Sequence, residues 1–298
     1  MSATAVIPAT TESSIGPALE HLSASRLKCW QQCRRRFALR YVHQIAKPVS
    51  PALFLGRFLH RMVQLWNLQR WKDGQVSEER LLEHFVVEWQ SMALGDSPAW
   101  KDGQEKAERT KALVLFECWV KDAPIPVEER PQGVEVRLEM ESADHPLLIG
   151  ILDLVRADGT VTDFKTSART TPPDQLALLH RTQMLCYGTL FRESTWELEA
   201  GFEIIELVKT KVPKIVVTRF PALSECDLEE LDEMIASFLQ GVRNRDFAPS
   251  YGQHCSWCEY RAECLEEHTS ELQSRRNLVC RLLLEKKKKK KHSRRSIS

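Results

Sequence analysis

GILDLVRADGTVTDFKTS, residues 150–167, is the stretch on which the fold turns. Two apolar, β-branched runs flank Ala157-Asp158-Gly159-Thr160, a tight-turn sequence, so the stretch reads as a β-hairpin. Each arm also carries an acid in hydrophobic surroundings. Asp153 interrupts Ile151, Leu152, Leu154 and Val155, and Asp163 stands two residues before Lys165. A buried charge is costly unless it is paired or binds a metal.

Strand side chains alternate faces, so the turn length decides whether the two acids meet. A two-residue Asp158-Gly159 turn sets Asp153 opposite Phe164 and sends the aspartates to opposite faces. A loop over 158–160 sets Asp153 across from Lys165, and one over 157–159 sets it across from Asp163. In both of these registers the aspartates and Lys165 share a face, and a bulge would serve equally. The plain alternative is a surface ion pair of Asp163 with Lys165 on an edge strand. Asp153 argues against it, because its segment looks buried on both faces. Two converging carboxylates repel unless a divalent cation lies between them, and oxygen donors suit Mg²⁺ or Mn²⁺. A lysine beside that cation orients water or stabilises charge on a phosphate, so the combination reads as a phosphodiester-hydrolysis site.

On either side of the hairpin the period of the sequence changes. Ser23 or Ser25 caps a helix through about Val42, and further helical runs cover Leu53 to Trp71, Ser77 to Met92 and about Glu105 to Lys121. Val134 to Met140 then alternates as a strand. Pro172-Pro173-Asp174 opens a helix through about Arg192, Phe202 to Val208 and Ile215 to Phe220 read as strands, and Ser224 to Val242 as a helix. Helices, three strands, a helix, two strands and a helix suggest one α/β domain with a helical insert at about 53–122.

The 43 % hydrophobic and 28 % charged content is that of a globular chain. No apolar run approaches 18 residues, which predicts no membrane span. Residues 1–20 lack a basic start and an apolar core, so they read as a disordered leader rather than a secretory signal. Nine scattered cysteines without an export signal point to a reducing compartment and to metal binding rather than disulfides. The net charge of +1 does not call for nucleic acid, but its distribution does. Arg26 to Arg40 holds six basic residues and no acid, and Lys286 to Lys291 with Arg294 and Arg295 forms a second block. A solvated face and a solubilising tail are the plain alternative.

Cys255-Ser-Trp-Cys258 followed by Cys264 spaces three thiolates closely. By spacing alone zinc is the default, with His254 or His268 as fourth ligand. Cys118, Cys186, Cys226 and Cys280 have no partner by spacing and read as core or incidental thiols.

Asp153 with Asp163-Phe164-Lys165 resembles the core of the PD-(D/E)XK nucleases, and more narrowly their RecB-like branch. Gly56-x-x-x-His60 resembles the branch's upstream histidine motif, Gly150-Ile-Leu-Asp153 its G-x-x-D strand, Asp163-Phe-Lys-Thr166 its D-x-K-T strand, and Gln183-x-x-x-Tyr187 its glutamine–tyrosine helix. The ordered set spans about residues 21–268. It implies a restriction-endonuclease-like α/β core, a mixed central sheet flanked by helices. It also implies Mg²⁺ or Mn²⁺ held by His60, Asp153, Asp163 and the Phe164 carbonyl, with Lys165, Gln183 and Tyr187 completing the active site. Gln183 and Tyr187 are implied to hold DNA or Lys165. Some members of the branch carry a [4Fe–4S] cluster on one cysteine before the core and three after it. Leu22-Ser-Ala-Ser-Arg-Leu-Lys-Cys29-Trp-Gln-Gln-Cys33 resembles the upstream signature, which implies Cys33 with Cys255, Cys258 and Cys264, Cys29 being the rival. Arg34 stands where the signature has proline, so the helix is expected to continue past Cys33.

The expectation is thus a metal-dependent DNA nuclease, an exonuclease in repair, recombination or end processing. It works in the bacterial cytosol or another reducing, DNA-containing compartment, in partnership with a separate helicase where one exists. Single strands or ends are the substrate, contacted without regard to sequence by Arg34, Arg35 and Arg36. A basic helical or disordered tail occupies 269–298. Two rivals stand beside this: an inactive DNA-binding module descended from a nuclease, and a zinc-stapled interaction protein.

Overall fold

The structure, a computed structural model, describes residues 16–265. The expected leader before residue 16, His268, Cys280 and the basic tail at 269–298 lie outside the described residues. Residues 16–20, read as leader, are instead packed. Gly16–Leu19 forms a 3₁₀ turn, Ala18 is buried, and Arg26 Nη1 donates to the carbonyls of Pro17 and Ala18 at 2.9 and 3.0 Å.

Helix α1 (Ala24–Gln32) starts where Ser23 Oγ accepts from Arg26 N–H. The expected continuation to Val42 does not occur. Cys33 adopts extended backbone (φ −164°, ψ 112°) before α2 (Arg34–Phe37) begins and widens into a π turn at Ala38–Val42. α3 (Pro51–Asp73) is capped by Ser50, has proline at its first position and stops at Gly74, whose φ of 70° is left-handed. α4 (Glu78–Asp96) and α5 (Gln104–Asp122) complete a three-helix layer.

β1 (Gly133–Met140), β2 (Leu148–Val155) and β3 (Thr160–Ser167) form an antiparallel meander. α6 (Pro173–Thr195) crosses over to β4 (Gly201–Val208), which lies parallel to β3, and β5 (Lys214–Phe220) closes the sheet antiparallel to β4. α7 (Glu225–Arg243) follows, opened by a Ser224–Asp227 capping box. The sheet order is β1-β2-β3-β4-β5, a mixed sheet flanked by helices, as the family resemblance implies.

Two cores lie on the two faces. One gathers Trp30, Phe37, Leu185, Phe191, Phe238 and Phe247 from α1, α2, α6 and α7 and the segment after α7, over Leu148, Leu152, Val155, Val161 and Phe202 of the sheet. The other gathers Phe54, Phe58, Trp66, Phe85, Trp89, Phe116 and Trp119 from α3–α5, over Val134, Leu154, Phe164, Ile205 and Leu207. In β2, Leu148 and Leu152 therefore join the first core and Leu154 the second, so the alternation shifts between Leu152 and Leu154. β1 shifts with it, from Val134 in the second core to Leu138 beside the first. At the shift, Glu135 has a φ of 53°, which costs a non-glycine residue about 1–2 kcal/mol, and the ladder skips the Glu135–Asp153 pair.

Trp30 anchors the first core, with Phe37, Phe238 and Phe247 packed edge-on at 5.4, 5.5 and 6.2 Å. A Cβ at Gly241 of α7 would stand 2.3 Å from its ring. Gly241→Ala is expected to destabilise the fold by about 1–3 kcal/mol through overpacking, although alanine is the better helix former. The urea midpoint measures this, and an unchanged midpoint would mean that the indole has room to move.

Candidate metal and catalytic centre

The hairpin loop is Ala157–Gly159. Arg156 N–H donates to the Thr160 carbonyl at 2.9 Å, Val155 pairs with Val161, and Leu154 with Thr162. Gly159, with φ 85°, makes the turn. By count this is the register that sets Asp153 across from Asp163. The backbone ladder ends at Leu154–Thr162, and the next bond is made by a side chain: Phe164 N–H donates to Asp153 Oδ2 at 2.9 Å. The carboxylate of Asp153 thus enters the gap where β2 and β3 part.

His60, half-buried on α3, places Nε2 2.6 Å from the same Asp153 oxygen, and its Nδ1 lies 3.4 Å from Glu135 Oε1. Burial alone would depress the imidazole. The hydrogen bonds to Asp153 and Glu135, and the charges of both, outweigh it and raise its pKa to about 10. Among the described residues, His60, Glu135 and Asp153 are the three whose donor atoms converge within 4.8 Å.

Asp163 is buried. Its Oδ1 accepts from Gln183 Nε2 at 2.7 Å, while Lys165 Nζ lies 2.6 Å from Oδ2. That ammonium is the charge partner of Oδ2. Burial, reinforced by the nearby Asp153, pushes the Asp163 carboxyl above its usual range, against the pull of Lys165. Burial likewise pushes the Tyr187 phenol up, with Asp163 and Asp153 adding to it. A Cβ at Gly150 would land 2.6 Å from Leu190 and 3.2 Å from the Tyr187 ring, so this glycine lets α6 seat Tyr187 against β2. Gln183 thus holds Asp163 rather than Lys165. Phe164 gives its N–H to Asp153, and its ring packs edge-on against Trp119 at 5.4 Å and near His60 at 6.2 Å.

This donor set fits a hard divalent cation. Its converging members are the His60 imidazole and the carboxylates of Glu135 and Asp153, while the buried Asp163 carboxylate stands outside that group, against Lys165 and Gln183. Without the ion, the imidazolium of His60 supplies the positive charge between Asp153 and Glu135. An ion using Nε2 must displace that proton, which is held below about pH 10. Mn²⁺ affinity is therefore expected to rise with pH across the neutral range, by up to about tenfold per unit for one proton released. Calorimetry in buffers of different ionisation enthalpy counts the proton, and a pH-independent affinity would exclude His60 as a ligand.

Glu135 and His180 were not singled out in the sequence. Glu135 reads there as an ordinary polar position of an alternating strand. His180 lies one helical turn before Gln183, with Nδ1 3.5 Å from Gln183 Oε1. Burial, Lys165 and Lys28 push its imidazole down to about 4, so it is neutral beside the acids. Two clefts flank the centre. One of about 650 Å³ is lined by α3 with Glu135, Lys165 and Thr166. The other, of about 660 Å³, is lined by Lys28, Arg137, Ile151, Gln183 and Tyr187 among others.

Cys33, Cys255, Cys258 and Cys264 line a separate cavity of about 320 Å³, which His254 also borders. The extended backbone of Cys33 is what breaks the helix there. Cys29 lies in the core instead, its thiol pushed up to about 11 by burial. Cys186 is likewise a core thiol, Cys118 is half-buried and Cys226 exposed. Among the described residues no three cysteine sulfurs lie within 4.8 Å of one another.

Of the three arginines read as DNA contacts, two stand at this cavity and none lines either cleft. Arg35 and Arg36 line the cavity, Arg36 pairs with Glu259 at 2.9 Å, and Arg34 pairs with Asp246 while stacking on Trp30 at 5.2 Å. Together with the Lys47–Glu263 pair and the Tyr260 hydroxyl donating to the Ile45 carbonyl at 3.0 Å, they tie the last segment to the first. The guanidinium groups of Arg34 and Arg36 pair with the protein's own carboxylates.

The profile of the PD-(D/E)XK nuclease superfamily matches residues 21–265. No curated protein sequence matches the chain. Among solved structures, the fold is similar to that of a candidate exonuclease from Eubacterium rectale, with a TM-score of 0.57 and 15 % identity over 87 % of this chain and 93 % of that one. An alkaline exonuclease from Laribacter hongkongensis aligns with a TM-score of 0.31 and 10 % identity over 88 % of this chain and 100 % of that one. At 15 % identity the likeness to the Eubacterium rectale protein concerns the fold alone.

Proposed function

Because the chain belongs to the PD-(D/E)XK nuclease superfamily, we propose that it hydrolyses DNA phosphodiester bonds with a divalent cation, Mg²⁺ or Mn²⁺, held by His60, Asp153 and Asp163. The observation that carries this reading is that all of the matched motifs converge. Gly56 and His60 on α3, Asp153 on β2, Asp163 and Lys165 on β3, and Gln183 and Tyr187 on α6 all border one centre. Glu135 joins the ligand set by its place beside His60, and the Phe164 carbonyl is the remaining ligand proposed.

When bound, the ion supplies positive charge to the scissile phosphate and acidity to water. The chain supplies the rest. The Phe164 amide fixes the Asp153 carboxylate. Gln183 fixes one oxygen of Asp163 and leaves the other facing Lys165. The Lys165 ammonium, anchored by Asp163 at the cleft edge, orients the attacking water or stabilises the charge that develops on the phosphate.

The order of the motifs favours the RecB-like branch and an exonuclease acting on DNA ends in repair or recombination, alone or beside a separate helicase. For the cysteines we propose a [4Fe–4S] cluster on Cys33, Cys255, Cys258 and Cys264. What supports it is that all four line one cavity. Such a cluster, with Cys29, Cys118, Cys186 and Cys226 as free thiols among the described residues, suits a reducing, DNA-containing compartment. No helix among the described residues is long and apolar enough to cross a membrane.

Anaerobically purified protein incubated with end-labelled single- and double-stranded DNA and Mn²⁺ tests the reading. Ion-dependent products are expected, and their ladder gives the polarity. DNA retained but never cut would leave only a binding module.

A further inference from the structure

α3 holds a glycine that packing does not explain. Gly56 lies inside a 23-residue helix, where alanine would hold the helix better, and a Cβ built on it meets nothing within 4 Å. The open space belongs to the cleft that Gly56 lines with Leu53, Arg57, His60 and Arg61. Something other than this chain has a use for that clearance.

Arg57 and Arg61 are one helical turn apart and share a face. Each is held from behind by a carboxylate of α4. Arg57 Nη1 donates to Asp96 at 2.9 Å, and Arg61 clamps Glu88 through Nε and Nη2 at 3.1 and 3.0 Å while Nη1 reaches Gln64 at 2.7 Å. The side chains of Arg57 and Arg61 are 51 % and 37 % exposed, those of Asp96 and Glu88 only 17 % and 20 %. The acids therefore lie inward and the guanidinium groups outward, fixed in direction with donors to spare.

We propose that this face of α3 is a phosphate track for the strand being cut. Gly56 admits the sugar–phosphate backbone against the helix, and Arg57 and Arg61 take successive phosphates next to the scissile one. Such contacts set register without reading sequence. The proposal rests on the nuclease reading, whose centre shares the cleft through His60 and Lys165.

The test measures binding of a labelled single-stranded oligonucleotide across a salt series, in an Asp163→Asn background where no cleavage is expected. Arg57→Ala/Arg61→Ala is expected to weaken binding by about tenfold or more and to lower the salt slope by about 1.4, two contacts at about 0.7 each. Gly56→Ala is expected to raise the melting temperature, as alanine does in a helix, while weakening the same binding. A basic face that is merely solvated predicts no loss for Gly56→Ala, so unchanged affinity in that variant overturns the track whatever the arginines do. An unchanged slope in a folded double arginine variant overturns it too, and Gly56→Ala decides if the double variant does not fold. If the parent chain never cuts while both variants lose binding, the nuclease reading fails and the track stands.

Discussion

Asp163→Asn and Lys165→Ala are each expected to lower Mn²⁺-dependent DNA cleavage by about a thousandfold or more, roughly 4 kcal/mol of transition-state stabilisation. The two residues act as a unit, with Lys165 Nζ 2.6 Å from Asp163 Oδ2. Removing the carboxylate takes away a ligand and the anchor of the ammonium. Removing the ammonium leaves a buried carboxylate whose hydrogen-bond donor is an amide, Gln183, with the Asp153 charge nearby. The sign of the stability change separates this from simple damage. The Asp163 carboxyl is held above its usual pKa by burial, so its charge is disfavoured in the folded chain, and a neutral isostere removes that penalty. Asp163→Asn is therefore expected to melt no lower than the parent while losing activity. Full cleavage by either variant, at parental melting temperature, would remove these residues from the mechanism.

The second large effect concerns Cys33. Cys33→Ser is expected to abolish the broad absorbance near ~400 nm that an iron–sulfur cluster gives, whereas Cys29→Ser leaves it intact. Cys33 borders the cavity shared with Cys255, Cys258 and Cys264, and Cys29 points into the core beside Trp30. The same variant is expected to melt lower and to expose the segment after α7 to protease. A link between these ends closes a loop as long as that between Arg36 and Glu259, 223 residues apart, and long loops lose the most chain entropy on closure. The ion pairs of Arg34, Arg36 and Lys47 remain in the variant, so it loosens rather than unfolds. Protein that is colourless yet carries one zinc per chain would refute the cluster. Colour lost with Cys29 and kept without Cys33 would move the ligand by one turn.

The hairpin, its acids and the lysine were legible because turn chemistry and β-branched arms identify strands locally. The register was not, since one residue more or less in the loop reverses the faces. The Arg156–Thr160 bond and the pairing of Val155 with Val161 settle it. Glu135 escaped because an acid in an alternating strand reads as solvent-facing. What turns it toward His60 is a backbone φ of 53° at the bend it shares with Asp153, and no local signal announces that. The break at Cys33 escaped for a similar reason, since Arg34 favours continuing the helix and the cavity that opposes it is built from the far end of the chain. Arg34 and Arg36 read as phosphate contacts because Asp246 and Glu259, which they pair with, are more than two hundred residues away in sequence.

The bend at Glu135 and Asp153 has a temporal meaning as well. It sits where one helical layer delivers His60 and the other delivers Gln183, and the acids lie at the boundary. During synthesis the histidine and Glu135 emerge first, the aspartates next, and the helix that steadies Asp163 after them. A chain still leaving the ribosome therefore holds these side chains apart, and the centre is complete only once the last layer has docked.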